Sequence, residues 1–191
     1  MKRLLRILVV IVFASVFPNV VAGSAIRRVN FRNFTFPGIF EKRITLRDGK
    51  STVKTKYCET QYELRDVIFR DLNHDGKEDA VVSIDDFQAC GSSCRSEDFY
   101  IYTIKNKRPS LLWKFSTGCQ GAGGLKDFRL SGRSLVFELF GKTRIAGNKV
   151  QAVGDDNGGE CCPNFYSVVR VAWDGRRFRQ VGSKFFPYHE P

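Results

Sequence analysis

The feature that most constrains this chain is its rhythm: short segments of alternating apolar and polar residues, separated by Gly-, Asn- and Asp-containing turns. A strand sends successive side chains to opposite faces, so a period of two marks a half-buried strand. Residues 29–36 show it through Val29, Phe31, Phe34 and Phe36. Residues 41–46 repeat it, Asp48-Gly49 reads as a hairpin turn, and 51–57 as the returning strand. Residues 62–69 form a further strand, and the short apolar run at 80–84 predicts a buried strand. Three more pairs follow: 99–104 with 111–115, 128–130 with 134–139, and 166–173 with 177–183, the last turning at Asp174-Gly175. No helical period persists over three turns beyond the N-terminus. The prediction is an all-β fold, an antiparallel sandwich, barrel or propeller fragment, with long loops at 118–124 and 141–163. The 17 Phe supply enough apolar material for a core, which excludes a disordered chain. No composition shift divides residues 26–191, so they are expected to form a single β domain.

The N-terminus is of another kind. Lys2, Arg3 and Arg6 precede an apolar run at 7–17, too short to span a bilayer, and small residues follow around Ala22, Gly23, Ser24 and Ala25. Residues 1–25 therefore read as a signal peptide, and the mature protein as secreted or periplasmic. No later run is long and apolar enough for a transmembrane helix. The leader takes three of the +11 formal charges, leaving +8. That excess permits attraction to an anionic envelope polymer but carries no convincing nucleic-acid signal.

All six cysteines, Cys58, Cys90, Cys94, Cys119, Cys161 and Cys162, lie beyond the leader. An even number in an exported chain predicts disulfides, in a connectivity that sequence alone does not choose. Cys90 and Cys94 are placed to close a small loop. The adjacent Cys161 and Cys162 suit two different partners, with Cys58 and Cys119 as candidates. Zinc is disfavoured, because a single Cys-x3-Cys beside a vicinal pair, with only His74 and His189, does not match zinc-ligand spacing.

The sharpest chemical signal is Asp71-Leu72-Asn73-His74-Asp75-Gly76-Lys77-Glu78-Asp79. Calcium takes six to eight oxygen ligands, and a loop with oxygen-bearing side chains at its first, third and fifth positions can wrap it. Asp71, Asn73 and Asp75 fill those positions, and Gly76 permits the sharp turn. The Lys77 carbonyl and the Asp79 carboxylate complete the expected set. Without a cation the carboxylates would repel one another. An EF-hand is excluded, because its twelfth position is Val82 instead of a bidentate Glu and the flanks read as strands. The loop resembles those of FG-GAP and VCBS repeats, in which calcium is a structural element; the resemblance implies Ca2+ here in the same role.

A wider resemblance follows the order of Asn33-Phe34-Thr35-Phe36-Pro37, the Asp71 loop, Leu111-Leu112-Trp113-Lys114-Phe115, Gly123-Gly124-Leu125, Cys161-Cys162-Pro163 and Val171-Ala172-Trp173-Asp174-Gly175-Arg176-Arg177-Phe178. This succession is similar to a family of small secreted bacterial proteins with one such loop. It implies export and calcium, and no activity.

Other signals weigh less. The Gly-rich 118–124 segment lacks Gly-Lys-Ser/Thr and a following helix, so it reads as a surface loop and not a phosphate cradle. Asp155, Asp156 and Glu160 read as a solvated acidic turn, and Asp85-Asp86 as a strand end or a neighbour of the calcium loop. Asn33-Phe34-Thr35 matches a glycosylation acceptor by coincidence. Arg176, Arg177 and Arg179, interleaved with Trp173 and Phe178, form an exposed basic hairpin with some capacity for anionic polymer. No nucleophile with a base stands out, and among the 20 acidic residues no glycosidase pair is singled out. The sequence thus leans away from an enzyme. It favours an exported, calcium-stabilised β-module that binds or supports an envelope component. An envelope hydrolase of glycan or peptide, or a secreted inhibitor using the two long loops, are the alternatives.

Overall fold

The computed structural model describes residues 24–39, 43–56, 58–89, 93–119, 121–154 and 162–189. Of the expected signal peptide, residues 1–25, all but the last two residues lie outside the described ones. The described chain opens with two 3-10 turns at Ala25–Arg28 and Phe31–Asn33, then the short strands β1 (Thr35–Phe36) and β2 (Ile44–Thr45). β3 (Lys50–Lys54), β4 (Glu59–Arg70), β5 (Asp79–Ala89), β6 (Ser93–Lys105) and β7 (Arg108–Ser116) follow. β8 (Leu125–Ser131), β9 (Ser134–Phe140), β10 (Thr143–Ala146), β11 (Lys149–Ala152), β12 (Phe165–Trp173) and β13 (Phe178–Pro187) complete the fold. The protein is all-β, with no α-helix among the described residues.

Among the described residues three sheets form and none closes into a barrel, an arrangement consistent with a β-sandwich. The central sheet runs β10-β11-β7-β6-β5-β4-β3, a second runs β13-β12-β9-β8, and β1-β2 form a small third. In the central sheet β6 and β7 form a long hairpin joined by a tight turn. Asn106 and Lys107 both have positive φ, 52° and 62°, which matches the twist of a two-residue hairpin connection.

Strands β5 and β6 are buried on both faces, and this dictates the layers. Ala80, Val82, Ile84, Tyr100 and Tyr102 point to one face, where Ile26, Phe31, Phe36, Ile44 and Leu46 of the N-terminal segment cover them. Val81, Phe99 and Ile101 point to the other, with Phe115 of β7, and pack against Leu135, Phe137, Leu139, Val169, Val171 and Phe178 of the second sheet. Phe137 alone stacks within 5.1 Å of Phe99, Phe115 and Phe128. Each such buried ring contributes about 1.5–3 kcal/mol through loss of apolar surface from water.

Several expectations are corrected. Residues 29–36 do not form one strand: they wind through a 3-10 turn and only Thr35–Phe36 is extended. Spacing explains this, since Phe31 and Phe34 are three apart and both must reach one core. Asp48-Gly49 does turn, with Arg47 and Lys50 exchanging backbone hydrogen bonds, yet β3 pairs with β4 and not with the strand before it. The 141–163 loop contains the hairpin β10–β11. Asp85 and Asp86 lie within β5, which continues to Ala89, at the end of the sheet away from the acidic loop.

Cys94, near the start of β6, is bonded to Cys119 beyond β7, with Cα atoms 5.3 Å apart. This replaces both the expected Cys90–Cys94 closure and a bond from Cys119 to the vicinal pair. Enclosing a segment of this length restricts the unfolded chain by about 3 kcal/mol. Cys58 is also disulfide-bonded; Cys90 and Cys161 lie outside the described residues. No helix among those residues is long and apolar enough to cross a membrane.

Candidate functional site

The acidic loop connects β4 to β5, so it sits between antiparallel strands as the sequence predicts. Leu72, fully buried, pins its first half into the second core. Gly76 has φ +81°, a left-handed conformation that costs glycine least. Arg27 holds the far side, making two 2.6 Å hydrogen bonds to Glu78 while lying over the Phe69 ring.

Of the predicted oxygen groups, Asn73 brings Asp75 and Asp79 together, while Asp71 turns to the His74 N–H and to Arg133. The Asn73 amide nitrogen donates to Asp75 at 3.3 Å and to Asp79 at 3.4 Å. The backbone N–H groups of Leu72 and Asn73 donate to Asp79 Oδ2 at 3.0 and 3.1 Å. Those of His74, Asp75 and Lys77 donate to Asp71, Asn73 and Asp75 at 2.8–2.9 Å. Asp79 is fully buried, and burial raises its carboxyl above the ordinary range despite the amides that favour its ionised form. The second sheet reaches the same loop: Arg133, in the β8–β9 turn, lies 3.3 Å from Asp71 Oδ2 and 2.7 Å from the His74 ring nitrogen. The carboxylates are thus gathered on one loop and neutralised by N–H donors and one guanidinium. Among the described residues no group of three or more His, Cys, Asp or Glu side chains is arranged to hold a metal. An entering cation would need to displace Arg133 from Asp71 and turn the Asn73 amide so that its oxygen faces the centre.

Beside the loop, a hollow of about 530 Å³ is rimmed by Arg28, Lys77 and Lys107, together with Ala25, Ile104 and Pro109. In the basic hairpin between β12 and β13, Arg176, Arg177 and Arg179 are exposed as the sequence predicts. Trp173 and Phe178 pack against each other, and Asp174 pairs with Arg179 at 3.1 Å.

A second acidic region was not singled out by sequence. Asp85 and Glu97 stand directly opposite each other on β5 and β6. They line a cleft of about 210 Å³ with Arg65, Arg95, Thr117 and Phe140. Arg65 Nη1 lies 2.6 Å from Glu97 and 3.7 Å from Asp85. Burial raises the Glu97 carboxyl, and Arg65 opposes that shift. The signal available in the sequence was the pair of acidic dipeptides, Asp85-Asp86 and Glu97-Asp98, inside otherwise apolar strands. The acidic turn at Asp155, Asp156 and Glu160 lies outside the described residues.

Comparison of the chain with protein-family models, with curated proteins and with solved structures gave no match in any of the three.

Proposed function

We propose that this chain is a calcium-stabilised β-module exported to the cell envelope, where it binds or supports an anionic component instead of catalysing a reaction. The observation that supports the calcium reading is that the Asn73 amide is shared by Asp75 and Asp79 on one turn between β4 and β5, with Asp71 on the same loop and Gly76 left-handed at its tip. Calcium binding would replace weak N–H···O contacts and Arg133 with a divalent charge, and so lock β4 against β5. Affinity is expected in the extracellular range, about 10⁻⁴–10⁻³ M. At ten times the dissociation constant, calcium then adds about 1.4 kcal/mol of stability. The resemblance to FG-GAP and VCBS loops supports a structural role for the ion. The paired cysteines fit an oxidising compartment. The basic hollow of Arg28, Lys77 and Lys107 supports an anionic partner.

Thermal melting with Ca2+ and then with a chelator tests the calcium reading. The midpoint should rise with Ca2+, and Asp75→Ala should abolish the rise. An identical midpoint under both conditions in both proteins removes it.

The cleft at Asp85 and Glu97 favours a second reading, a hydrolase acting on a glycan or peptide bond. A buried carboxyl opposite a second carboxylate is the arrangement that general acid catalysis uses. Turnover of an envelope glycan or peptide that is lost in Glu97→Gln, with the melting midpoint retained, would establish it. A turnover equal in both proteins would rule it out.

A further inference from the structure

At the end of the central sheet away from the acidic loop, the strands carry a carboxylate pair on each face. Asp85 and Glu97 share one face with Arg65. Asp86 and Asp98 occupy the opposite face, the one covered by the N-terminal segment. Asp86 pairs across the strands with Ser96 and Asp98 with Ile84, which makes the two carboxylates diagonal neighbours on one surface. Asp86 is 4% and Asp98 3% exposed. One oxygen of each, Oδ1 in both cases, is buried with no hydrogen-bond partner. The other oxygens take long bonds, 3.4 Å from the Gln88 amide to Asp86 and 3.3 Å from the Tyr100 hydroxyl to Asp98, and the Ser116 hydroxyl also bonds Asp98.

The surrounding groups do not balance two negative charges. Tyr62 of β4 faces Asp86, and Tyr100 of β6 faces Asp98; burial raises both phenols, Tyr62 to about 12, so neither supplies charge at neutral pH. From β7 come the Ser116 hydroxyl and the ammonium of Lys114. Lys114 is also committed to the N-terminal segment, donating to the Gly38 carbonyl at 2.6 Å. A second buried carboxylate beside one cation costs several kcal/mol unless it is neutralised, and a proton is the one neutralising ion that needs no added space.

We propose that Asp86 and Asp98 together hold a single proton at neutral pH, and that this proton keeps the N-terminal segment seated on the central sheet. One proton removes one of two neighbouring buried charges and gives a site of unpartnered acceptors a donor. Losing the proton leaves two charges beneath Phe36 and the Gly38 carbonyl, draws Lys114 toward the pair, and invites water under the segment. Burial, the first cause, and then Asp86 together raise Asp98 to about 7, and Asp86 is raised by its own burial. A carboxyl raised on folding gives stability that is present in acid and is lost as pH climbs through the folded value. The expected window is therefore between pH 4 and just above pH 7, the reverse of ordinary acid denaturation.

The experiment uses the full chain with chelator present, so that its outcome is independent of the calcium loop. Carbon-13 NMR of Asp-labelled protein should show a carboxyl titrating near pH 7 that disappears in Asp98→Asn. Amide protection over residues 31–46, corrected for intrinsic exchange, should fall by at least about tenfold from pH 5 to pH 8 in the wild type and stay constant in Asp98→Asn. Every Asp carboxyl titrating below pH 5 overturns the proposal. So does an equal loss of protection in both proteins. If Asp98→Asn does not fold, the wild-type titration decides by itself.

Discussion

The two ends of the β4–β5–β6 unit carry the same kind of residue under opposite conditions. In the loop at one end, Asp71, Asp75 and Asp79 accept hydrogen bonds from the backbone N–H groups of Leu72, Asn73, His74 and Lys77. At the other end, Asp86 and Asp98 sit in mid-strand and have buried oxygens without partners. The difference comes from the backbone. A loop has unspent N–H donors, so short acidic side chains can fold back and be satisfied locally. A strand inside a sheet has given its donors to its neighbours on both sides, so a carboxylate there must find a side chain, a cation or a proton. The chemistry proposed for each end differs accordingly: exchange of hydrogen-bond donors for a cation at the loop, and gain and loss of a proton at the strands.

The largest test of this contrast is Asp79→Ala. It removes the acceptor for two backbone amides at a buried position and should cost about 2–4 kcal/mol in urea unfolding with chelator present. Asp98→Asn at pH 8 should move stability the other way. If both substitutions destabilise alike, the distinction between satisfied and unsatisfied carboxylates fails.

Arg65→Gln separates the two faces of the distal end. It strips the buried Glu97 of its guanidinium, and because Arg65 is largely exposed the loss should be only about 1–2 kcal/mol at pH 8. Glu97 is raised on folding, so the penalty belongs to its ionised form and should fade as pH drops toward 4 and the carboxyl protonates. A penalty of the same size at pH 8 and pH 4.5 would show that Arg65 acts by packing alone.

The smallest expected effect lies at the loop. Arg133→Gln frees Asp71 from its competing cation. Stability in chelator should change by less than about 1 kcal/mol, since the pair is partly exposed. Calcium affinity, read by isothermal titration, should tighten about two- to fivefold, in line with about 0.4 to 1 kcal/mol of released competition. Weaker binding in this variant would mean that Arg133 shapes the loop and does not compete for it.

The strands from β5 to β9 and from β12 to β13 were legible because each has a period of two or an unbroken apolar run bounded by a strong turn signal. The N-terminal segment misled because Val29, Phe31, Phe34 and Phe36 satisfy a strand pattern and a turning path equally well, and only contact with Tyr100 and Tyr102 selects the latter. The hairpin β10–β11 escaped because four-residue strands such as Thr143–Ala146 are too short to show a period. The loop residues were found because their spacing lies within nine consecutive positions. The pairs Asp85 with Glu97 and Asp86 with Asp98 were not, because their partners are assembled across strands by register.

By itself the sequence determined the class of fold, the position of the oxygen-rich turn between two strands, and which acidic residues lie on that turn. Those properties are local: they follow from side-chain alternation and from how far a carboxylate can reach along its own backbone. Tertiary structure alone decided that β5 and β6 are covered on both faces, that Arg133 arrives at Asp71 from another sheet, and that Asp86 and Asp98 share a buried surface. Those depend on which strand lies beside which, and a pairing energy summed over many distant residues leaves no mark at any single one.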